Sequence, residues 1–539
     1  MTIKSNLIDI VARKTFAAEI VIENNHIKTI TQINEILETY VLPGFIDAHV
    51  HIESSMLAPT EFARLAVNHG TVGTISDPHE IANVLGVAGV NYMIDNGKQV
   101  PFHFYFGAPS CVPATFFETA GAVINADDID ALLARPEIVY LAEMMNFPGV
   151  IYKDGEVLKK IASAKKHNKP VDGHAPGLMD DEMKTYFNAG ITTDHECFMH
   201  EEALQKLQHG VKIMIREGSA AKNFDTLISL LKDFPEQIMF CCDDKHPDNL
   251  IHGHINDHVK RALSLGHDLY DVLRAATYNV VKHYNLPIGM LQIGDKADFI
   301  QIDNLQNFTI LKTIINGDIV SENGKSKLPI LKAPIVNYFN CTKKTPKDFA
   351  LKSEGNIIRV IEVLDGQLIT NELQLETLTV NGFAESNVEH DILKIAVINR
   401  YHDAPISVAF IKNVGLKNGA IASCVAHDCH NIVVVGVGDE EICKAVNLII
   451  ENKGGISLAT ENEEMVLPLP IAGIMTDQPA EQVAEAYTKL DLKAKELGSK
   501  LRAPYMSLSF MALLVIPQLK LSDKGLFNGQ TFEFTNVFV

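Results

Sequence analysis

The pattern of apolar and polar positions changes twice along the chain. Over residues 1–42 it alternates in short runs. Ala18-Glu19-Ile20-Val21-Ile22 leads to a turn at Glu23-Asn24-Asn25 and then to His26-Ile27-Lys28-Thr29-Ile30. This is hairpin patterning, and strands so few need a partner sheet. From residue 43 short, almost continuous apolar runs take over. The first is Phe45-Ile46-Asp47-Ala48-His49-Val50-His51, and seven more cover 71–77, 102–106, 138–143, 170–174, 191–196, 212–217 and 237–244. Helical spacing fills several of the gaps, at 60–69, 155–167, 179–188, 201–209 and 224–233. Strands alternating with helices imply a parallel sheet, and eight units over about 240 residues predict an α/β fold of the (β/α)₈ barrel type.

Beyond the last run the texture changes again. Helices are expected at 256–265 and 269–284, followed by a turn-rich stretch and a hairpin at Asn316-Gly317. These later strands are expected to pair with those of residues 1–42. The predicted organisation is a small β domain from both flanks (1–42 plus 285–340), a barrel at 43–284, and a C-terminal α+β domain at 341–539. In the last unit, strands are expected at 357–363, 392–398 and 432–436, and helices at 440–452 and 478–496. Gly454-Gly455 reads as a hairpin turn, because no Gly-Lys-Ser/Thr follows to make a phosphate loop.

Composition narrows the functional classes. The 539 residues are 47% hydrophobic and 21% charged, with a net charge of -20. Such a chain builds large cores, and its acidity argues against nucleic acid and against an anionic membrane surface as partners. Eight cysteines without CxxC spacing read as reduced thiols. Residues 1–17 carry charges throughout and do not read as a signal peptide, so a cytoplasmic location is expected. No segment reaches the ~20 apolar residues of a membrane span. A homo-oligomer is expected only because symmetric assemblies are common among soluble enzymes.

The ends of the apolar runs carry the chemistry. In a strand, residues i and i+2 share a face, so His49 and His51 project together. Glu143, His174, His195 and Asp243 occupy the ends of later strands. In a barrel these ends converge on one mouth. Four imidazoles and two carboxylates there suit two divalent ions, with Glu143 able to bridge them. Such ions lower the pKa of a water toward neutrality. Asp243 is then both a ligand and the group that shuttles the proton from attacking water to leaving group.

Longer motifs surround these residues. Pro43-Gly44-Phe45-Ile46-Asp47-Ala48-His49-Val50-His51 resembles the first-strand signature of the metal-dependent amidohydrolase superfamily, and His174, His195 and Asp243 follow in that order. Asp47 to Ser55, Ser76-Asp77-Pro78-His79-Glu80, Ala142 to Gly149 and Cys242 to Pro247 resemble the adenine deaminase family more closely. The resemblance runs the whole length and includes Val425 to Asn431. It implies hydrolysis of adenine to hypoxanthine and ammonia by attack of activated water on C6. It also implies Glu143 in place of the superfamily's carboxylated lysine, and two Mn²⁺ or Fe²⁺ ions, with Zn²⁺ less favoured. Glu53, Ser54, His79, Glu80, Glu217 and His246 are the candidates for contacts to the purine ring. A different aminopurine or cyclic amide as substrate is the alternative on the same scaffold. His427 and His430 stay open between a loop cap, a further metal site and a segment leaning over the barrel mouth.

Overall fold

The computed structural model describes residues 1–539. Eight parallel strands carry the site: β1 (Phe45–Val50), β2 (Thr71–Ser76), β3 (His103–Ala108), β4 (Ile138–Met144), β5 (Val171–Gly173), β6 (Thr193–Asp194), β7 (Lys212–Arg216) and β8 (Ile238–Cys241). β1 to β5 form one parallel sheet and β6 to β8 another. Thr192 N–H donates to Val171 O at 2.9 Å and joins the two between β5 and β6. Between β8 and β1, Asp243 N–H donates to His49 O at 2.9 Å, and His51 N–H donates to Asp243 O at 3.3 Å. The sheet is thereby curled into a TIM-like barrel. β1, β2 and β8 are buried at every position, as strands covered on both faces must be. That explains why they read as continuous apolar runs rather than as alternation.

Both flanks of the barrel enter one eight-stranded sheet. Tyr40–Pro43 lies at its middle, parallel to Thr2–Asp9 and antiparallel to Phe299–Ile302. Thr2–Asp9 pairs with Lys14–Glu23, which pairs with His26–Gln32. Ile310–Ile315 and Asp318–Glu322 form the hairpin expected at Asn316-Gly317. Both of its turn residues have positive φ, 49° and 80°, the backbone that a tight two-residue hairpin needs.

The C-terminal part is built on a second eight-stranded sheet, with Ile392–Ile398 and Ile432–Gly436 paired near its centre. Helix Asp439–Asn452 covers one face through Ile442, Ala445, Val446 and Ile449. Helix Ala480–Glu496 reaches the barrel, where Ala480 N–H donates to Glu61 and Arg64 pairs with Glu481. The segment after strand Ala420–Ser423 turns toward the barrel mouth and carries His427 and His430.

Two helices differ from the sequence pattern, and the one expected at 224–233 is a short α-helix, Phe224–Leu227, that passes into a 3₁₀ segment, Ile228–Lys232. The stretch 269–284 is two helices, Leu269–Ala275 and Tyr278–Tyr284. Thr277 leaves helical backbone, at φ -149°, and its hydroxyl donates to Leu273 O at 2.5 Å. Such a side chain competes locally with the helical ladder. All eight cysteines are free and buried. No helix is long and apolar enough to cross a membrane.

Candidate metal centre

His49 ends β1 and His51 follows it, and their Nε2 atoms are 3.1 Å apart. The Nδ1–H of His51 donates to Asp77 O at 3.1 Å. That fixes the tautomer and leaves Nε2 as a lone pair facing inward. Glu143, near the end of β4, lies at the centre. Its Oε1 is 3.2 Å from His51 Nε2 and 3.9 Å from His49 Nε2. Its Oε2 is 2.5 Å from His174 Nδ1 and 3.2 Å from His195 Nε2. One carboxylate therefore faces His51 and His49 with one oxygen and His174 and His195 with the other. Asp243 adds Oδ1 at 3.1 Å from His51 Nε2 and 3.4 Å from His49 Nε2. It takes left-handed backbone, φ 57°, where the chain leaves β8. Asp tolerates that region better than most residues.

All six side chains are buried. Their donor atoms fall into tight groups, among them His49 with His195 and Asp243, and Glu143 with His174 and His195. Imidazole lone pairs and carboxylate oxygens converging out of water are costly unless a cation or protons satisfy them. The donor set, N and O only, suits a divalent ion. Burial alone would raise the Glu143 carboxyl, but His174 and His195 hold it well below the usual range. Burial likewise opposes ionisation of Asp243, and Arg216 beside it holds that carboxyl well below its usual range.

Arg216 and Glu196 are the members that the sequence pattern missed. Arg216, the last residue of β7, points its Nη1 at Asp243 Oδ2, 2.6 Å away, and contacts Glu196 with the same fork. The candidate from this strand end, Glu217, lies elsewhere: it pairs with Arg261 at 3.1 Å and Lys222 at 3.2 Å. Neighbouring strand residues point to opposite faces, and the inward one is the arginine. Asp77 also joins the cluster through His79 Nδ1, 3.1 Å away.

The remaining candidates separate into two groups. His79 and Glu80 line the central cavity, and His79 Nδ1 is 3.5 Å from Glu143 Oε1. Ser54 acts through a neighbour, donating to Asp244 Oδ1 at 2.5 Å. Glu53 accepts from the Ile81 N–H at 3.2 Å, and burial lifts its carboxyl to about 7. His246 is 2.5 Å from the Tyr487 hydroxyl, and burial pushes its imidazole down to about 3. Neither Glu53 nor His246 lines the cavity. His427 and His430 both lie against Glu80, and His430 caps its own loop, its Nδ1 accepting from the Ala426 N–H at 3.2 Å. Leu368, His427, Asp428, Phe510 and Leu513 close the cavity from the C-terminal side.

Residues 40–320 match the amidohydrolase family, and residues 367–533 match the adenine deaminase C-terminal domain. The chain is 52% identical to an adenine deaminase of Parabacteroides distasonis, over 100% of this chain and 99% of that one. It is 53% identical to an adenine deaminase of a Sulfurovum species, over 99% of both chains. The chain belongs to the adenine deaminase family. Its amidohydrolase portion, 40–320, spans the whole barrel, including every member of the Glu143 cluster. The adenine deaminase C-terminal portion supplies the remaining wall of the cavity. Membership in the amidohydrolase family implies a divalent metal, and the buried cluster could hold one.

Proposed function

We propose that this protein hydrolyses adenine to hypoxanthine and ammonia. The observation that carries the reading is Glu143, whose two oxygens face His51 on one side and His174 with His195 on the other. His49, His51 and Asp243 would hold one divalent ion, and His174 and His195 a second, with Glu143 between them. We take these ions to be Mn²⁺ or Fe²⁺ rather than Zn²⁺. Bound there, they would acidify a water molecule enough to make it a nucleophile at neutral pH.

The protein's own residues do the rest. Asp243 accepts a proton from the water as its oxygen attacks C6, then delivers a proton to the departing amine. The C6–N6 bond breaks and ammonia leaves; of the two protons of the water, one ends on N1 and the other on the departing amine, so that C6 keeps the oxygen as the hypoxanthine carbonyl. Arg216 holds Asp243 by one oxygen, so that the other stays aimed at the site. His79 and Glu80 are placed to contact the ring. The buried C-terminal wall, with Leu368, Phe510 and Leu513, excludes bulk water. Met145 also lines a wider cleft of about 620 Å³, and we assign the route of the base to that side.

We further propose that the enzyme works in the cytoplasm as a homo-oligomer. Its units would be 1–42 with 285–340, 43–284 and 341–539. The test is ammonia release from adenine by protein reconstituted with Mn²⁺ or Fe²⁺, with adenosine and cytosine run beside it. Metal-dependent turnover of adenine alone is the expected result. No turnover with metal bound would overturn the substrate.

A further inference from the structure

We infer that His427, supplied by the C-terminal unit, is a substrate-binding residue that donates a hydrogen bond from Nε2 to a ring nitrogen of the bound purine. The inference rests on the proposed reaction and adds to it a specificity contact from outside the barrel.

The loop that carries His427 is pinned from several sides. His430 N–H donates to Ala426 O at 2.7 Å, Tyr401 OH to Cys429 O at 2.5 Å, and Asn431 Nδ2 to Thr119 O at 2.9 Å. His430 Nδ1 accepts from the Ala426 N–H at 3.2 Å, so its proton sits on Nε2. That nitrogen lies 2.5 Å from Glu80 Oε2. His427 uses Nδ1 on the other oxygen of Glu80. Glu80 thus fixes one nitrogen of His427, while its Oε2 keeps no hydrogen-bond partner.

The second nitrogen of His427 is left over. Nε2 is buried and has no hydrogen-bond partner. The oxygen it faces, Asp244 Oδ1, is 3.8 Å away, beyond hydrogen-bond reach. The ring lies nearly flat on Phe510, with centroids 4.8 Å apart and planes 17° apart, so it cannot turn aside. His427 and Phe510 line the same cavity as His51 and Glu143. Burial alone would strip the second proton from this imidazole, but Glu80 and Asp244 around it lift it to about 9. His427 thus carries an unpaired Nε2 donor among the residues that line the cavity, where Leu368, Phe510 and Leu513 supply apolar surface. A flat heterocycle with lone pairs on its ring nitrogens satisfies both features.

Two substitutions separate this role from a structural one. His427→Asn keeps a donor near the Nδ1 position for Glu80 and deletes the reach to the cavity. His427→Gln keeps that reach. Adenine turnover by the wild type is measured first, and its absence would overturn the reaction itself. Competitive inhibition is then measured with hypoxanthine, 3-deazahypoxanthine and 7-deazahypoxanthine. The wild type should bind hypoxanthine about 10- to 100-fold tighter than one of the deaza compounds, the range of one charge-assisted hydrogen bond. In His427→Asn that preference should collapse to about twofold or less, and in His427→Gln part of it should survive. Adenine turnover with no preference in the wild type, or with an undiminished preference in His427→Asn, would overturn the role of His427 and leave the reaction standing.

Discussion

Asp243 Oδ2 lies 2.6 Å from Arg216 Nη1, while its Oδ1 lies 3.1 Å from His51 Nε2. One carboxylate thus joins an arginine at the end of β7 to a histidine at the end of β1. Arg216 also holds Glu196, so its removal takes the guanidinium away from two buried carboxylates. Arg216→Met should lower kcat about 100-fold and cost about 3–5 kcal/mol of stability. Arg216→Lys keeps the charge without the planar fork and should fall between. Steady-state kinetics and urea titration check both, and a Met variant with wild-type kcat would remove Arg216 from the positioning of Asp243.

Asp243→Asn preserves shape and removes the proton-accepting oxygen. Turnover should drop by about 10²- to 10⁴-fold, the usual worth of general acid–base catalysis, with a near-native circular dichroism spectrum. A variant that retains near-full activity would exclude Asp243 as the shuttle.

Metal content is expected to follow the first strand. His49→Ala should lower the metal bound per chain after reconstitution, as measured by atomic emission. Chelation of the wild type should lower its melting temperature, because an ion at 100 times its Kd stabilises by about 2.7 kcal/mol. An unchanged metal ratio in His49→Ala would rule out His49 as a ligand.

Lys520 ties the cavity wall together, its Nζ donating to Leu368 O at 2.7 Å and Phe510 O at 3.0 Å. Burial pushes this ammonium down to about 7. In the unfolded chain it stays protonated to about 10.4. Between these values the unfolded state binds a proton that the folded state lacks, so folding gains as pH rises. Relative to Lys520→Met, the wild type should gain about 2–3 kcal/mol from pH 7 to pH 9. A gap in unfolding free energy that stays constant across that range would mean that Lys520 is charged throughout.

The barrel was legible because burial on both faces leaves a strand no polar positions until its end. The polar residues that follow each run are therefore the ones at the mouth. His49, His51, Glu143, His174, His195 and Asp243 were found in that way. Arg216 was not, because the pattern locates the end of β7 but does not say which of Arg216 and Glu217 turns inward; strand twist and neighbours decide that. The partner of His427 and His430 was not legible either. Glu80 is 347 residues from His427, and nothing local in the HxxH spacing points to it. The break at Thr277 was hidden by apolar spacing that continues across it.

The hydrogen bonds that close the barrel between β8 and β1 run through His49, His51 and Asp243, the same residues whose side chains meet in the cluster. The seam of the cylinder and the cation site are therefore one piece of structure. His49, His51 and Asp243 come into register only when the first and last strands meet. An ion held there would act as a clasp, and its removal would loosen the cylinder along the line where the chain closed it.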